Sequence, residues 1–166
     1  MNETYIFLAG HGFDVHPLKT TNTETQIMVC GVPIPCCFEL VAHSDGDVAL
    51  HALTDALLGT IGAGDIGEHF PATNDRWKNK ASSLFLSHAL LLLKNADATL
   101  VNLDITIICE APKISPFKLA MKNKLAELTG LPLHRINIKA TTTEKLGFLG
   151  RGEGIAAQAV VSVKVP

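Results

Sequence analysis

The segment Ala42-His43-Ser44-Asp45-Gly46-Asp47-Val48-Ala49-Leu50-His51-Ala52-Leu53-Thr54-Asp55 sets two histidines and three acids at the head of an apolar run. Residues 48–58 read as a helix, capped by Ser44 or Asp45 and ended by Gly59 and Gly62. On that helix Asp47, His51 and Asp55 recur every four residues and share one face. Burying such a face has a desolvation cost, which a cation bound by the imidazole and oriented by the carboxylates offsets. A solvent-facing polar stripe satisfies the same pattern, so this helix alone leaves both readings open.

Upstream, Tyr5-Ile6-Phe7-Leu8-Ala9 reads as a buried strand running into Gly10-His11-Gly12-Phe13-Asp14-Val15-His16-Pro17. Period-2 alternation puts Asp14 and His16 on one face and Phe13 and Val15 on the other. An acid-x-histidine pair on a strand is a two-pronged ligand set, although such pairs are common on surfaces. Joined by His51 it becomes two imidazoles and a carboxylate, the three-ligand set with an open fourth position that catalytic zinc uses.

The remaining elements must position these groups. The Thr-rich residues 19–25 read as a loop before a hairpin that turns at Gly31, with Pro33 and Pro35 confining the second strand to an edge. Residues 62–75 form a long Gly-, Asp- and Pro-bearing connection of the kind that often carries function. Ser82 can cap a helix over 83–94, in which His88 reads as a core-edge histidine. Residues 100–109 alternate as a half-buried strand. Ser115 reads as an N-cap with Pro116 at the first helical position and Gly130 as the stop, and free N–H groups at that helix start suit a phosphate or a base edge. The strand 136–140 delivers Thr141-Thr142-Thr143-Glu144-Lys145, whose hydroxyls and acid suit phosphate oxygens and a hard divalent ion. Gly147-Phe148-Leu149-Gly150-Arg151-Gly152-Glu153-Gly154 follows, and residues 155–165 alternate as a closing strand. The order of elements predicts an α+β fold, a two-layer sandwich of mixed sheet with helices on one face, in a single domain over residues 1–166.

The chain has 166 residues, 47% of them apolar, with a net charge of −2. Its mean hydropathy is +0.26. These values argue against disorder and give no electrostatic case for nucleic acid or an anionic membrane as partner. No apolar run reaches the roughly 20 residues of a membrane span, and Met1-Asn2-Glu3-Thr4 lacks a signal-peptide head, so the expected setting is the cytosol or an organelle matrix. Cys30, Cys36, Cys37 and Cys109 form no C-x-x-C pair and read as reduced and structural.

Taken together, Gly10–His16, His43–His51, Gly64-Asp65-Ile66-Gly67, Lys139–Phe148 and Gly150–Gly154 resemble the 2-C-methyl-D-erythritol 2,4-cyclodiphosphate synthase family over nearly the whole chain. The resemblance implies a homotrimer that converts 4-diphosphocytidyl-2-C-methyl-D-erythritol 2-phosphate to the cyclic diphosphate with release of CMP. It implies Zn²⁺ on Asp14, His16 and His51, a second divalent cation (Mg²⁺ or Mn²⁺) on Glu144, and transition-state stabilisation by His43 and Thr142. The implied substrate-binding set is Ser44, Asp65, Ile66, Gly67, Phe70 and Asn74 on the erythritol side. For the cytidine it is the segment Cys109 to Ser115, with Cys109, Ala111, Pro112, Lys113 and Ser115, together with Thr141, and Thr143, Phe148 and Arg151 complete the implied substrate-binding set. Ala72 and Asn74 depart from the acids that the family often carries after Phe-Pro. Some members are fused to the preceding cytidylyltransferase, for which 166 residues leave no space. Two other readings stay open: a zinc-dependent hydrolase that directs water at a phosphate, and a nucleotide-binding module without turnover.

Overall fold

A computed structural model describes residues 4–42, 44–71, 73–77 and 79–166. Among the described residues five strands form one mixed sheet: β1 (Ile6–Val29), β2 (Val32–Leu40), β3 (Thr99–Ile108), β4 (Ile136–Thr141) and β5 (Gly154–Val165), in the order β2-β1-β5-β3-β4. Every pair is antiparallel except β3 and β4. The helices are α1 (Val48–Thr60), α2 (Ile66–His69), α3 (Ser82–Asn95), α4 (Lys118–Thr129) and α5 (Gly147–Gly150). The α+β class and mixed sheet agree with the sequence reading. Among the described residues no helix is long and apolar enough to cross a membrane.

Helix α1 lies against β1 and β5, and nearly all of it is buried. Gly10 and Gly12 explain how close it comes: a Cβ on either would stand 1.9 Å from the carbonyl oxygen of Ala56 or Ala52. Asp14 and His16 follow on the same face by alternation, directed at the helix that carries His51. Phe7, Phe13, Val15 and Val160 remain exposed at 66, 48, 37 and 48%.

Three local expectations are corrected. Residues 19–25 continue β1 instead of forming a loop, and the strand changes partner along its length, from β5 over residues 6–17 to β2 over 18–29. Threonine is polar but β-branched and suits a pleated strand, while the register slips between Thr20 and Thr25 to absorb the extra residues. Helix α1 is capped by Asp47, not Ser44 or Asp45, and Gly59 lies inside it with Ile61 at its C-cap. Ser115 makes no capping hydrogen bond: residues Ser115–Phe117 form a separate 3₁₀ turn, and α4 starts at Lys118. Gly130 does end α4, with φ of 74°.

Candidate functional site

Strand β1 and helix α1 bring Asp14, His16 and His51 together. Asp14 Oδ2 lies 3.0 Å from His16 Nε2 and 2.9 Å from His51 Nδ1, and the two imidazole nitrogens are 3.0 Å apart. Ligand atoms about 2.0–2.1 Å from one tetrahedral zinc ion stand roughly 3.3 Å from each other, so these donors need to part by only a few tenths of an ångström to fit. Burial works to raise the Asp14 pKa, but hydrogen bonds and charge from His16 and His51 outweigh it and hold the carboxyl well below the usual range. The acid is thus ionised and ready as a hard ligand. The cluster is a potential metal-binding site.

The far side of His51 corrects the expected helix-face partners. Its Nε2 lies 2.8 Å from Ser82 Oγ and 3.1 Å from Ser44 Oγ. Ser82 Oγ donates in turn to Asp45, which also accepts the Ser82 N–H at 3.0 Å. Asp47 points the other way and, fully buried, accepts the N–H groups of Cys30, Gly31 and Leu50 at 2.9, 2.6 and 3.0 Å. It ties the β1–β2 turn to the head of α1. Burial raises its pKa against the opposing pull of those hydrogen bonds. Asp55 accepts the Ile66 N–H at 2.7 Å and so anchors the loop beyond α1.

Beside the cluster opens a cavity of about 350 Å³ lined by the three cluster residues Asp14, His16 and His51, by Ser44, Ile66, Gly67, Phe70 and Asn74, which the resemblance names as substrate-binding, and by Asp75, Trp77 and Phe85, which the sequence reading did not name. Phe70 packs on Phe85 with ring centroids 4.5 Å apart and on Trp77 at 4.9 Å, forming an apolar wall opposite the ligands. His69 holds this wall from behind. Its Nε2 donates to Ala63 O at 2.7 Å, which leaves Nδ1 to accept from His88 Nε2 at 3.2 Å. Asp65 stays outside the lining and caps α2 through the Glu68 N–H. His43 and Ala72 lie outside the described residues.

A second cavity, of about 480 Å³, is lined by Cys109, Pro112, Lys113, Ser115, Thr141, Thr142 and Glu144 from the expected set, together with Glu110, Ile114 and Ala140. Thr142 Oγ1 accepts the Glu144 N–H at 3.2 Å. Ala111, Thr143, Phe148 and Arg151 do not line it. Thr143 is engaged with Leu146 O, and Arg151 forms an exposed fork with Glu153 at 2.7 and 3.1 Å. The two cavities share no residue. Asp14 pairs with Ala157, Ala157 with Ile107, and Ile107 with Ala140, so the two sites share a transverse row of the sheet. Three strand spacings of about 4.8 Å separate the ends of that row by ~14 Å.

This fold and cluster define a potential metal-binding α+β domain with a separate cavity lined by hydroxyls, a lysine and acids. The chain belongs to the YgbB family, whose model matches residues 7–164. It is 54% identical over 165 residues to the bifunctional enzyme IspD/IspF of Maricaulis maris, which covers 99% of this chain and 42% of that protein. The chain therefore spans about two fifths of the length of such curated relatives. Among solved structures it is similar to the Plasmodium falciparum IspF complex with CDP, at 31% identity and a TM-score of 0.83 over 96% of each chain. It is also similar to a CDP-bound 2C-methyl-D-erythritol-2,4-cyclodiphosphate synthase, at 37% identity and a TM-score of 0.84 over 93% of this chain and 99% of that one.

Proposed function

We propose that this domain is a 2-C-methyl-D-erythritol 2,4-cyclodiphosphate synthase, acting in isoprenoid precursor biosynthesis by the non-mevalonate route. The observation that carries the reading is the Asp14, His16 and His51 cluster beside a cavity open to solvent, in a chain similar over most of its length to synthases of that name. An oxygen of the substrate's 2-phosphate attacks the β-phosphorus, the bond from that phosphorus to the bridging oxygen breaks, and CMP leaves with the bridging oxygen. Such a transfer asks for positioning and charge neutralisation, not a side-chain nucleophile.

Asp14, His16 and His51 would hold Zn²⁺, and Glu144 would hold Mg²⁺ or Mn²⁺; cations at these sites lend Lewis acidity to phosphate oxygens. Ser44, Ile66, Gly67, Phe70 and Asn74, which line the first cavity, would receive the erythritol portion, with Asp65 holding the adjacent helix α2 and Phe70, Trp77 and Phe85 excluding water from its apolar side. Cys109, Pro112, Lys113, Ser115 and Thr141 would receive the cytidine, with Ala111 beside them in the same loop; Thr142 would stabilise the reacting phosphates, and His43, outside the described residues, is assigned the same role by the family resemblance. The separation of the two cavities and the uncovered apolar residues Phe7, Phe13, Val15 and Val160 support a homotrimer in which neighbouring protomers complete each site.

Incubation of the zinc-loaded protein with the substrate in ¹⁸O-water tests this. The expected result is CMP and cyclic diphosphate in equal amounts without label. Labelled phosphate products would establish the hydrolase instead, and CDP binding without turnover would establish a binding module.

A further inference from the structure

Glu110 lies in the Cys109–Ser115 segment that the resemblance assigns to the cytidine, with no role of its own there, because an acid in a loop usually points into solvent. In the structure Glu110 Oε1 accepts two main-chain donors from another loop, the N–H of Thr143 and the N–H of Lys145, each at 3.2 Å. The residue they enclose is Glu144. Glu144 and Lys145 both have left-handed backbones, with φ of 54° and 63°. Consecutive side-chain-bearing residues in that region are strained and persist where surrounding contacts over-determine them. A single carboxylate oxygen receiving the amides on either side is such a contact. Thr142 Oγ1 takes the remaining amide, that of Glu144 itself, at 3.2 Å.

Glu110 also belongs to the loop that lines the second cavity. The main chain of that loop is fixed at its start by the Cys109 N–H, which donates to Thr141 O at 3.1 Å. One side chain therefore spans from the cavity wall to the turn that presents Glu144. We infer that Glu110 is a positioning residue that couples a nucleoside diphosphate in this cavity to a divalent cation at Glu144, so that binding of each strengthens the other. The inference rests on the proposed role of Glu144 as a cation ligand. Coupling of this kind is reciprocal and typically amounts to 5–150-fold in affinity.

The test uses zinc-loaded protein and titrates CDP by calorimetry with and without Mn²⁺, for wild type, Glu110→Ala and Glu110→Gln. Wild type should bind CDP at least 5-fold more tightly with Mn²⁺. Glu110→Ala should lose most of that gain and raise the Mn²⁺ concentration needed for turnover, while saturating Mn²⁺ restores much of kcat. Glu110→Gln keeps a carbonyl oxygen at the same place and should behave as wild type. Unchanged thermal midpoint and zinc content in both variants separate this effect from misfolding. Full coupling in Glu110→Ala would overturn the inference. So would equal loss in both variants, which would make Glu110 a direct cation ligand, and so would active wild type without coupling. Wild type that neither binds CDP nor turns substrate over would instead overturn the reading of the site beneath it.

Discussion

Ser82 Oγ lies 2.8 Å from His51 Nε2, on the opposite edge of the imidazole from Asp14. When Nδ1 serves as a metal ligand, Nε2 carries the proton and donates it to Ser82, whose hydroxyl donates onward to Asp45. The relay fixes both tautomer and ring angle. Ser82→Ala should therefore weaken zinc about 10–100-fold, measured by competition with a chromophoric chelator. Asp55→Asn, which touches the loop and not the ring, should leave zinc affinity within a few-fold. Equal affinity in Ser82→Ala and wild type would remove Ser82 from the metal site.

Asp47 offers a stability test with a separate readout. Its carboxylate satisfies three N–H groups, two of them in the β1–β2 turn. Asp47→Ala leaves those donors without an acceptor and removes a helix cap, so denaturant unfolding should show a loss on the order of 3 kcal/mol or more. Asp47→Asn should lose less, because one oxygen remains. The folded fraction of either should still bind zinc.

The proposed sharing of each site between neighbouring protomers predicts complementation. His51→Ala disables the metal half and Cys109→Trp blocks the second cavity. Unfolded and reassembled together in equal amounts, they should recover about a quarter of wild-type activity, since random pairing gives one site in four both intact halves. Background activity in a mixture shown by native mass spectrometry to contain mixed trimers would place each site within one chain.

Cys109 gives a signed pH dependence. Burial, and then the charge of Glu110, pushes its thiol from the ordinary 9.0 up to about 11. Over that interval the folded state keeps a proton that the unfolded state has lost. Stability from this group is therefore complete below about pH 9 and falls as pH rises through 11, by roughly 2–3 kcal/mol. Buried Cys30 is shifted in the same direction and adds to the slope. Urea unfolding between pH 8.5 and 11 should fall less steeply in Cys109→Ala than in wild type.

The metal cluster was legible because its signals are local. Alternation along β1 put Asp14 and His16 on one face, and His51 sat in a run that could only be a helix. What alternation cannot convey is which distant groups meet. Ser82 is 31 residues from His51, and Glu110 is 33 and 35 residues from the amides it binds. Asp47 misled for the same reason: its spacing from His51 suggested a common face, but a capping carboxylate turns back to the chain end and here finds the β1–β2 turn. The polar composition of residues 19–25 points to a loop, whereas the β-branched geometry of threonine suits the strand they form. The central position of β5 was invisible, since a final alternating strand can close an edge or fill a gap equally well.

The close seating of α1 on Gly10 and Gly12 has a genetic consequence. The nearest atoms that a new methyl group would meet are the carbonyl oxygens of Ala56 and Ala52, ahead of the Thr60 methyl at Gly10, and every residue type carries a carbonyl. Trimming side chains on the helix therefore cannot compensate for Gly10→Ala or Gly12→Ala. A screen for intragenic suppressors of either change should return only true revertants at the glycine codon.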